Sequence, residues 1–136
     1  MLHDLMNRYK SIRKQHHVFY ERQLWYDRIK AINLLQVGID TTIEVWLKYL
    51  KYANIYCIDS FEHKQPTDFK FLKEDKVHWA RCDVHDKKHV EKIMNELWKK
   101  PRFDVIIDNT NNYENLRRYC IGKFYYEEKD KVRIVQ

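Results

Sequence analysis

The chain has 136 residues, about the length of one domain. Its 26 Lys and Arg against 20 Asp and Glu give a formal net charge of +6, and 44% of the residues are hydrophobic. That composition excludes a disordered chain and supplies apolar material for one core. No apolar run of about 18 residues occurs, so no membrane-spanning helix and no membrane partner are expected.

The first residues, Met1 to Leu5, lack a basic segment followed by an apolar one, so a secretory signal is not expected. Residues 1–30 contain no Gly or Pro. Leu2, Leu5, Met6, Tyr9 and Ile12, then Phe19, Tyr20, Leu24 and Trp25, recur at helical spacing and predict an amphipathic segment broken near His16 and His17. The stripe reads as packing on the domain core, with a partner surface as the alternative. This N-terminal helical segment, 1–30, precedes a second unit, 31–136. There the run INLLQV (32–37) predicts a buried strand ending at Gly38, and Asp40-Thr41-Thr42 offers a helix cap before Ile43, Trp46, Leu47 and Leu50. NIYCI (54–58) predicts a second strand ending at Asp59, and residues 60–76 a polar connection around Pro66 with a short helix over 67–72. VHWARC (77–82) predicts a third strand ending at Asp83. Val90, Ile93, Met94, Leu97 and Trp98 give a clear helical stripe that Pro101 stops. Residues 103–107 predict a fourth strand ending at Asp108, residues 111–119 a short helix, and residues 124–126 and 132–135 further strands.

Strands alternating with helices predict a mostly parallel sheet of about five strands with helices on both faces. In such sheets the ligand crevice lies at the carboxyl ends of the strands, where this chain places Gly38, Asp40, Asp59, Asp83 and Asp108. A carboxylate after the second strand, about 20 residues beyond the glycine turn, accepts hydrogen bonds from ribose hydroxyls in nucleotide-binding folds. Asp59 follows Gly38 by 21 residues. The plain alternative is that Asp favours turns at strand ends. A dinucleotide enzyme is disfavoured, because Gly38 to Ile43 (GIDTTI) keeps only the first glycine of G-x-G-x-x-G and lacks the pyrophosphate cradle.

The stretch INLLQVGIDTTIEVWLKYLKYANIYCID (32–59) resembles the start of class I S-adenosylmethionine-dependent methyltransferases. It is most similar to the O-methyltransferases grouped with macrocin O-methyltransferase and the cephalosporin hydroxylase-like proteins. Leu35-Gln36-Val37-Gly38 stands for their L-E-I-G, Ile55-Tyr56-Cys57-Ile58-Asp59 for I-Y-G-I-D, and FDVIIDNT (103–110) for F-D-x-I-I-D-D-G-S-H. The resemblance covers about residues 32–110. It implies an α/β, Rossmann-like fold with S-adenosylmethionine as cofactor. Gly38 would lie under the methionine part, with Asp40 beside it in the cofactor turn. Asp59 would hold the ribose and Asp83 would sit near the adenine. Asp108 would be the catalytic and divalent-metal position. The departures are Gln36 for the acidic residue, a contracted turn at Thr41-Thr42, Asn109 for the second acidic residue, and Thr110-Asn111-Asn112 for Gly-Ser-His. The chain also reads as ending about where the family's fifth strand and closing hairpin begin.

His85 and His89 are four apart at a helix start and could share a metal on one helix face, although a solvated helix start is the simpler reading. The basic and aromatic stretch from Arg117 to Tyr126 reads as a strand with a basic rim, or alternatively as a base-stacking surface. Cys57, Cys82 and Cys120 are odd in number and contain no C-x-x-C pair. Cys57 and Cys82 read as small buried hydrophobes in a reducing, intracellular or cytoplasmic setting. Two functions follow from the sequence. One is methyl transfer to a sugar or small-molecule hydroxyl. The other is an inactive methyltransferase-fold subunit that binds a second copy or a protein partner at its open sheet edge, or nucleic acid through its positive charge.

Overall fold

The computed structural model describes residues 1–135. Its centre is a six-stranded sheet in the order β3-β2-β1-β4-β5-β6. The strands are β1 (Asn33–Val37), β2 (Asn54–Asp59), β3 (Val77–Arg81), β4 (Phe103–Asp108), β5 (Cys120–Glu127) and β6 (Val132–Val135). The first five are parallel, and β6 runs antiparallel to β5. The helices are α1 (Leu2–Arg8), α2 (His17–Leu24), α3 (Thr42–Tyr49), α4 (Lys87–Lys92) and α5 (Tyr113–Leu116). None is long and apolar enough to cross a membrane.

Alternation along the strands divides the core in two. Leu34, Ile55, Val105 and Ile107 face one side with Trp46 and Ile43 of α3. Leu35, Ile58, Ala80 and Ile106 face the other with Val90 of α4 and Leu116 of α5. The N-terminal segment joins the first side: Leu2, Met6, Tyr20 and Leu24 are buried in the same cluster as the sheet. Its break lies earlier than the sequence suggests. α1 stops at Arg8, Lys10 has a positive φ of 53°, and a 3₁₀ turn at Lys14–His16 leads into α2. No Gly or Pro marks this bend. It is imposed from outside, because Ser11 and Arg13 are drawn into buried contacts with α3 and β5.

The mostly parallel sheet is as expected, but three details differ. The fifth strand and closing hairpin, expected where the chain ends, are present as β5 and β6, joined through Glu128 N–H to the Lys131 carbonyl at 2.8 Å. β5 begins four residues before the predicted run because Gly122 and Lys123 interrupt its apolar pattern. The helical stripe before Pro101 becomes a π-turn over Ile93–Leu97, which rotates Leu97 out to 56% exposure.

Gly122 sits where β4 is irregular against β5 between Phe103 and Val105. A Cβ there would come 2.1 Å from the Asp104 carbonyl oxygen, and backbone cannot yield as a flexible side chain can. Gly122→Ala is therefore expected to lower the unfolding free energy by about 1–3 kcal/mol, measured by urea denaturation.

Candidate functional site

β1 and β4 are neighbours, while the chain runs from β1 outward to β2 and β3 before crossing back to β4. Connections therefore leave β1 and β4 in opposite directions and open a crevice at their carboxyl ends, the switch point of the sheet. Gly38 ends β1 there with φ +92°, a conformation L side chains rarely adopt. No heavy atom lies within 4 Å of where its Cβ would be, so the turn leaves space above the backbone. Its N–H donates to the Ile58 carbonyl at 2.7 Å, tying the ends of β1 and β2 together.

Gln36 is fully buried beneath this turn. Its Nε2 donates to the Gly38 carbonyl at 2.8 Å, and its Oε1 accepts from Trp46 Nε1 at 2.8 Å. The amide both donates and accepts, which a carboxylate cannot do. The residue that looks like a departure in the sequence thus holds the turn to α3.

Asp59 stands at the end of β2. Its Oδ2 accepts from Ile39 N–H at 2.8 Å and its Oδ1 from Phe61 N–H at 2.9 Å. Lys64 Nζ lies 3.2 Å from Oδ2 and donates to the Ile39 carbonyl at 2.8 Å. Burial opposes the charge of Asp59, but the two N–H groups and the Lys64 ammonium outweigh it and hold the carboxyl below its ordinary pKa of 3.8. A lowered folded pKa means that stability from this group is complete above the ordinary value and is lost as the pH falls below it. Wild-type unfolding free energy is accordingly expected to fall more steeply than that of Asp59→Asn below about pH 4, followed by urea denaturation at each pH.

A cavity of about 210 Å³ lies in this crevice, lined by Gly38, Asp59, Ser60, Glu62, Asp83, His85 and Thr110 among others. Sites for whole small molecules usually enclose about 300–1,000 Å³, so the crevice holds part of such a ligand in this conformation. Of its lining residues, Asp83 and His85 come from the loop after β3, and Asn112 holds His85 from outside the lining. Asp83 Oδ1 accepts from His85 N–H at 3.0 Å, and His85 Nδ1 lies 2.9 Å from Asn112 Nδ2, bridging the loops after β3 and β4. Of the sequence-derived residues, Gly38, Asp59 and Asp83 thus share one crevice.

Asp40 and Asp108 do not line it. Asp40 Oδ1 caps the Thr42 N–H at 2.7 Å, and Oδ2 pairs with Arg13 at 2.5 Å. Arg13 is 2% exposed and also pairs through Nε with Glu127 of β5 at 2.6 Å. The N-terminal segment has claimed Asp40, so this turn residue offers its carboxylate to Arg13 rather than to the crevice. Asp108 is fully buried. Its Oδ1 accepts from Thr110 N–H at 2.9 Å and Thr110 Oγ1 at 2.5 Å, and its Oδ2 accepts from Asn112 N–H at 3.0 Å. Both oxygens accept bonds inside the β4 turn, and Asp108 lies outside the lining of the crevice cavity. A hard cation needs several oxygen ligands. Among the described residues no three His, Cys, Asp or Glu side chains come together to supply them. His89 Nδ1 lies 3.3 Å from the Asp83 N–H, and His85 is engaged by Asn112.

Arg13, Lys64 and Glu127 are absent from the sequence reading. Lys64 falls within the polar connection 60–76, and no sequence signal marks Arg13 or Glu127. Cys57 and Cys82 are buried thiols as read, and burial pushes the Cys82 pKa up to about 11.

No family model matches the chain. No curated protein matches it either. Solved structures do. MycE methyltransferase from the mycinamycin biosynthetic pathway, in complex with Mg and SAH, superposes with a TM-score of 0.76 over 95% of this chain, at 18% identity. The fold is that of a class I S-adenosylmethionine-dependent methyltransferase. Coclaurine N-methyltransferase, bound to N-methylheliamine and SAH, gives a TM-score of 0.52 over 80% of the chain at 15% identity. The plantazolicin methyltransferase BpumL, in complex with SAH, gives 0.51 over 92% at 17% identity. The chain covers 35%, 34% and 57% of these three proteins, so the methyltransferase fold here corresponds to part of each of them.

Proposed function

We propose that the crevice binds S-adenosylmethionine and that the chain serves methyl transfer to a hydroxyl of a sugar or small molecule. One observation carries this: in a methyltransferase fold, Gly38 and Asp59 end neighbouring strands and line one cavity at the switch point. When bound, S-adenosylmethionine supplies an electrophilic methyl group. Gly38 allows close approach of the ligand to the backbone, Asp59 accepts from the ribose hydroxyls, and Asp83 borders the adenine. The loop after β4 borders the acceptor and holds it against the methyl group, and proximity supplies most of the rate. No step is assigned to Asp108, which lies outside the lining of the crevice cavity. A small-molecule acceptor is favoured by the neighbours, one of which was solved with mycinamycin VI and another with N-methylheliamine.

The test is calorimetric titration of S-adenosylmethionine and SAH into the purified chain, with Asp59→Ala as control. Micromolar binding is expected in the wild type. Two charge-assisted hydrogen bonds contribute about 1.5–3 kcal/mol each, so the variant is expected to bind at least about 100-fold more weakly. No binding of either ligand at millimolar concentration would overturn the proposal.

The engagement of Asp108 also favours a second reading, a methyltransferase fold kept for binding without catalysis. In that case β3, the sheet's unpaired edge beside the crevice, is where a second copy or a protein partner would add. SAH binding with no methyl transfer to any hydroxyl acceptor would select this reading.

A further inference from the structure

The fold sorts the basic and aromatic stretch from Arg117 to Tyr126. Tyr119, Phe124 and Tyr125 turn inward and are buried, so their rings belong to the core and offer no platform for bases. Arg117 and Arg118 lie in a 3₁₀ turn between the buried Leu116 and Tyr119, and their side chains are 57% and 53% exposed. α4 and α5 pack on the same face of the sheet through Val90 and Leu116. Lys87, in the first turn of α4, therefore joins the two arginines around a cavity of about 540 Å³, with Tyr113, Asn115 and Glu114. That volume is in the range of small-molecule sites. Three cations meet one carboxylate in this lining. Arg117 reaches Glu114 at 3.5 Å, and Arg118 reaches Glu91 at 3.6 Å. Exposed pairs of this kind are weak. A phosphate competes well with them, because its oxygens take two parallel hydrogen bonds from a guanidinium.

A second cavity, of about 340 Å³, shares Tyr113 and Arg117 with the first. Its lining is more apolar and includes Phe124, Ile134 and Val135. The Tyr113 ring stands edge-on to Phe124, with centroids 4.9 Å apart, and is fixed between the two spaces. We propose that the two cavities form a second ligand site, which takes an organic phosphate of small size. Its phosphate sits among Lys87, Arg117 and Arg118, and its carbon body lies in the adjoining cavity against Tyr113. A nucleic acid strand fits less well: the aromatic rings of the stretch are buried, and Glu91 and Glu114 flank the cations and would repel a long polyanion. This site does not depend on the reading of the crevice, whose lining shares none of these residues.

The test adds phenyl phosphate to the full ¹⁵N-labelled chain, in a buffer free of phosphate and SAH, and follows the amide shifts. Tyr113, Asn115, Arg117 and Arg118 are expected to shift together with one saturating affinity. Arg117→Gln and Arg118→Gln are each expected to weaken binding about 10-fold. Both side chains are exposed, and circular dichroism checks that the variants fold. Lys51→Gln removes the same charge outside both cavities and is expected to leave binding unchanged. Phenol, which lacks the phosphate, is expected to bind far more weakly. Absence of saturation at millimolar phenyl phosphate would overturn the proposal. Equal weakening by Lys51→Gln would also overturn it, since the attraction would then be that of the net charge. Phenol binding as tightly as phenyl phosphate would remove the phosphate seat. Oligouridine binding at the same residues more tightly than phenyl phosphate would replace the small ligand with a nucleic acid.

Discussion

Arg13→Met is expected to lower the unfolding free energy by about 3–5 kcal/mol, the usual cost of removing one partner from a buried ion pair. Arg13 is the one cation between two carboxylates, Asp40 and Glu127, whose side chains are 18% and 7% exposed. Burial disfavours its charge, yet these two carboxylates reverse the effect and raise the guanidinium pKa further above its already high value. Methionine fills much of the volume but leaves Glu127 buried and unpaired. The loss therefore comes from the stranded carboxylate more than from the missing attraction. Adding Glu127→Leu to Arg13→Met is accordingly expected to recover part of the loss, a non-additivity that urea denaturation of the two single variants and the double variant will show. Additive losses would mean that the pair contributes nothing as a pair. Arg13 also joins the N-terminal segment to the turn after Gly38, so the variant is expected to bind SAH more weakly than wild type.

Asp108→Ala is expected to destabilise the chain by about 3 kcal/mol, independently of any ligand. Hydrogen bonds to a charged group contribute about 1.5–3 kcal/mol each, and donors left without a partner in a buried turn add to the loss. Asp108 accepts from two backbone N–H groups and one hydroxyl. Asp108→Asn keeps one acceptor oxygen and is expected to lose about half as much. A purely catalytic Asp108 would give the opposite pattern: normal urea unfolding with lost activity.

The strand ends were legible in the sequence because short apolar runs stop at Gly or Asp, and these residues have local reasons to sit there. Gly38, Asp59 and Asp83 therefore emerged together, as did the parallel order of the strands. What those side chains bond to was not legible. Arg13 and Glu127 are 114 residues apart, and no periodicity connects them. Asp40 and Asp108 looked equivalent to Asp59 as strand-end carboxylates. Tertiary partners separated them: Arg13 arrived on one, and the turn after β4 closed over the other. The bend after α1 was hidden for the same reason, since helix propensity there yields to the buried contacts of Ser11 and Arg13. Gln36 was read as damage to a motif, and only its bonds to Trp46 and Gly38 reveal its purpose.

The central claim is that a nucleoside enters the crevice at the ends of β1, β2 and β3. It is tested most directly by recording amide ¹H–¹⁵N spectra of the isotopically labelled chain while SAH is added. Gly38, Ile39, Ser60, Asp83 and Thr110 are expected to shift together, with one saturating affinity. A larger cavity, about 570 Å³, lies elsewhere, against Tyr9, Leu47 and Phe71. Shifts confined to those residues, or no shifts at all, would contradict the assignment of the crevice as the cofactor site.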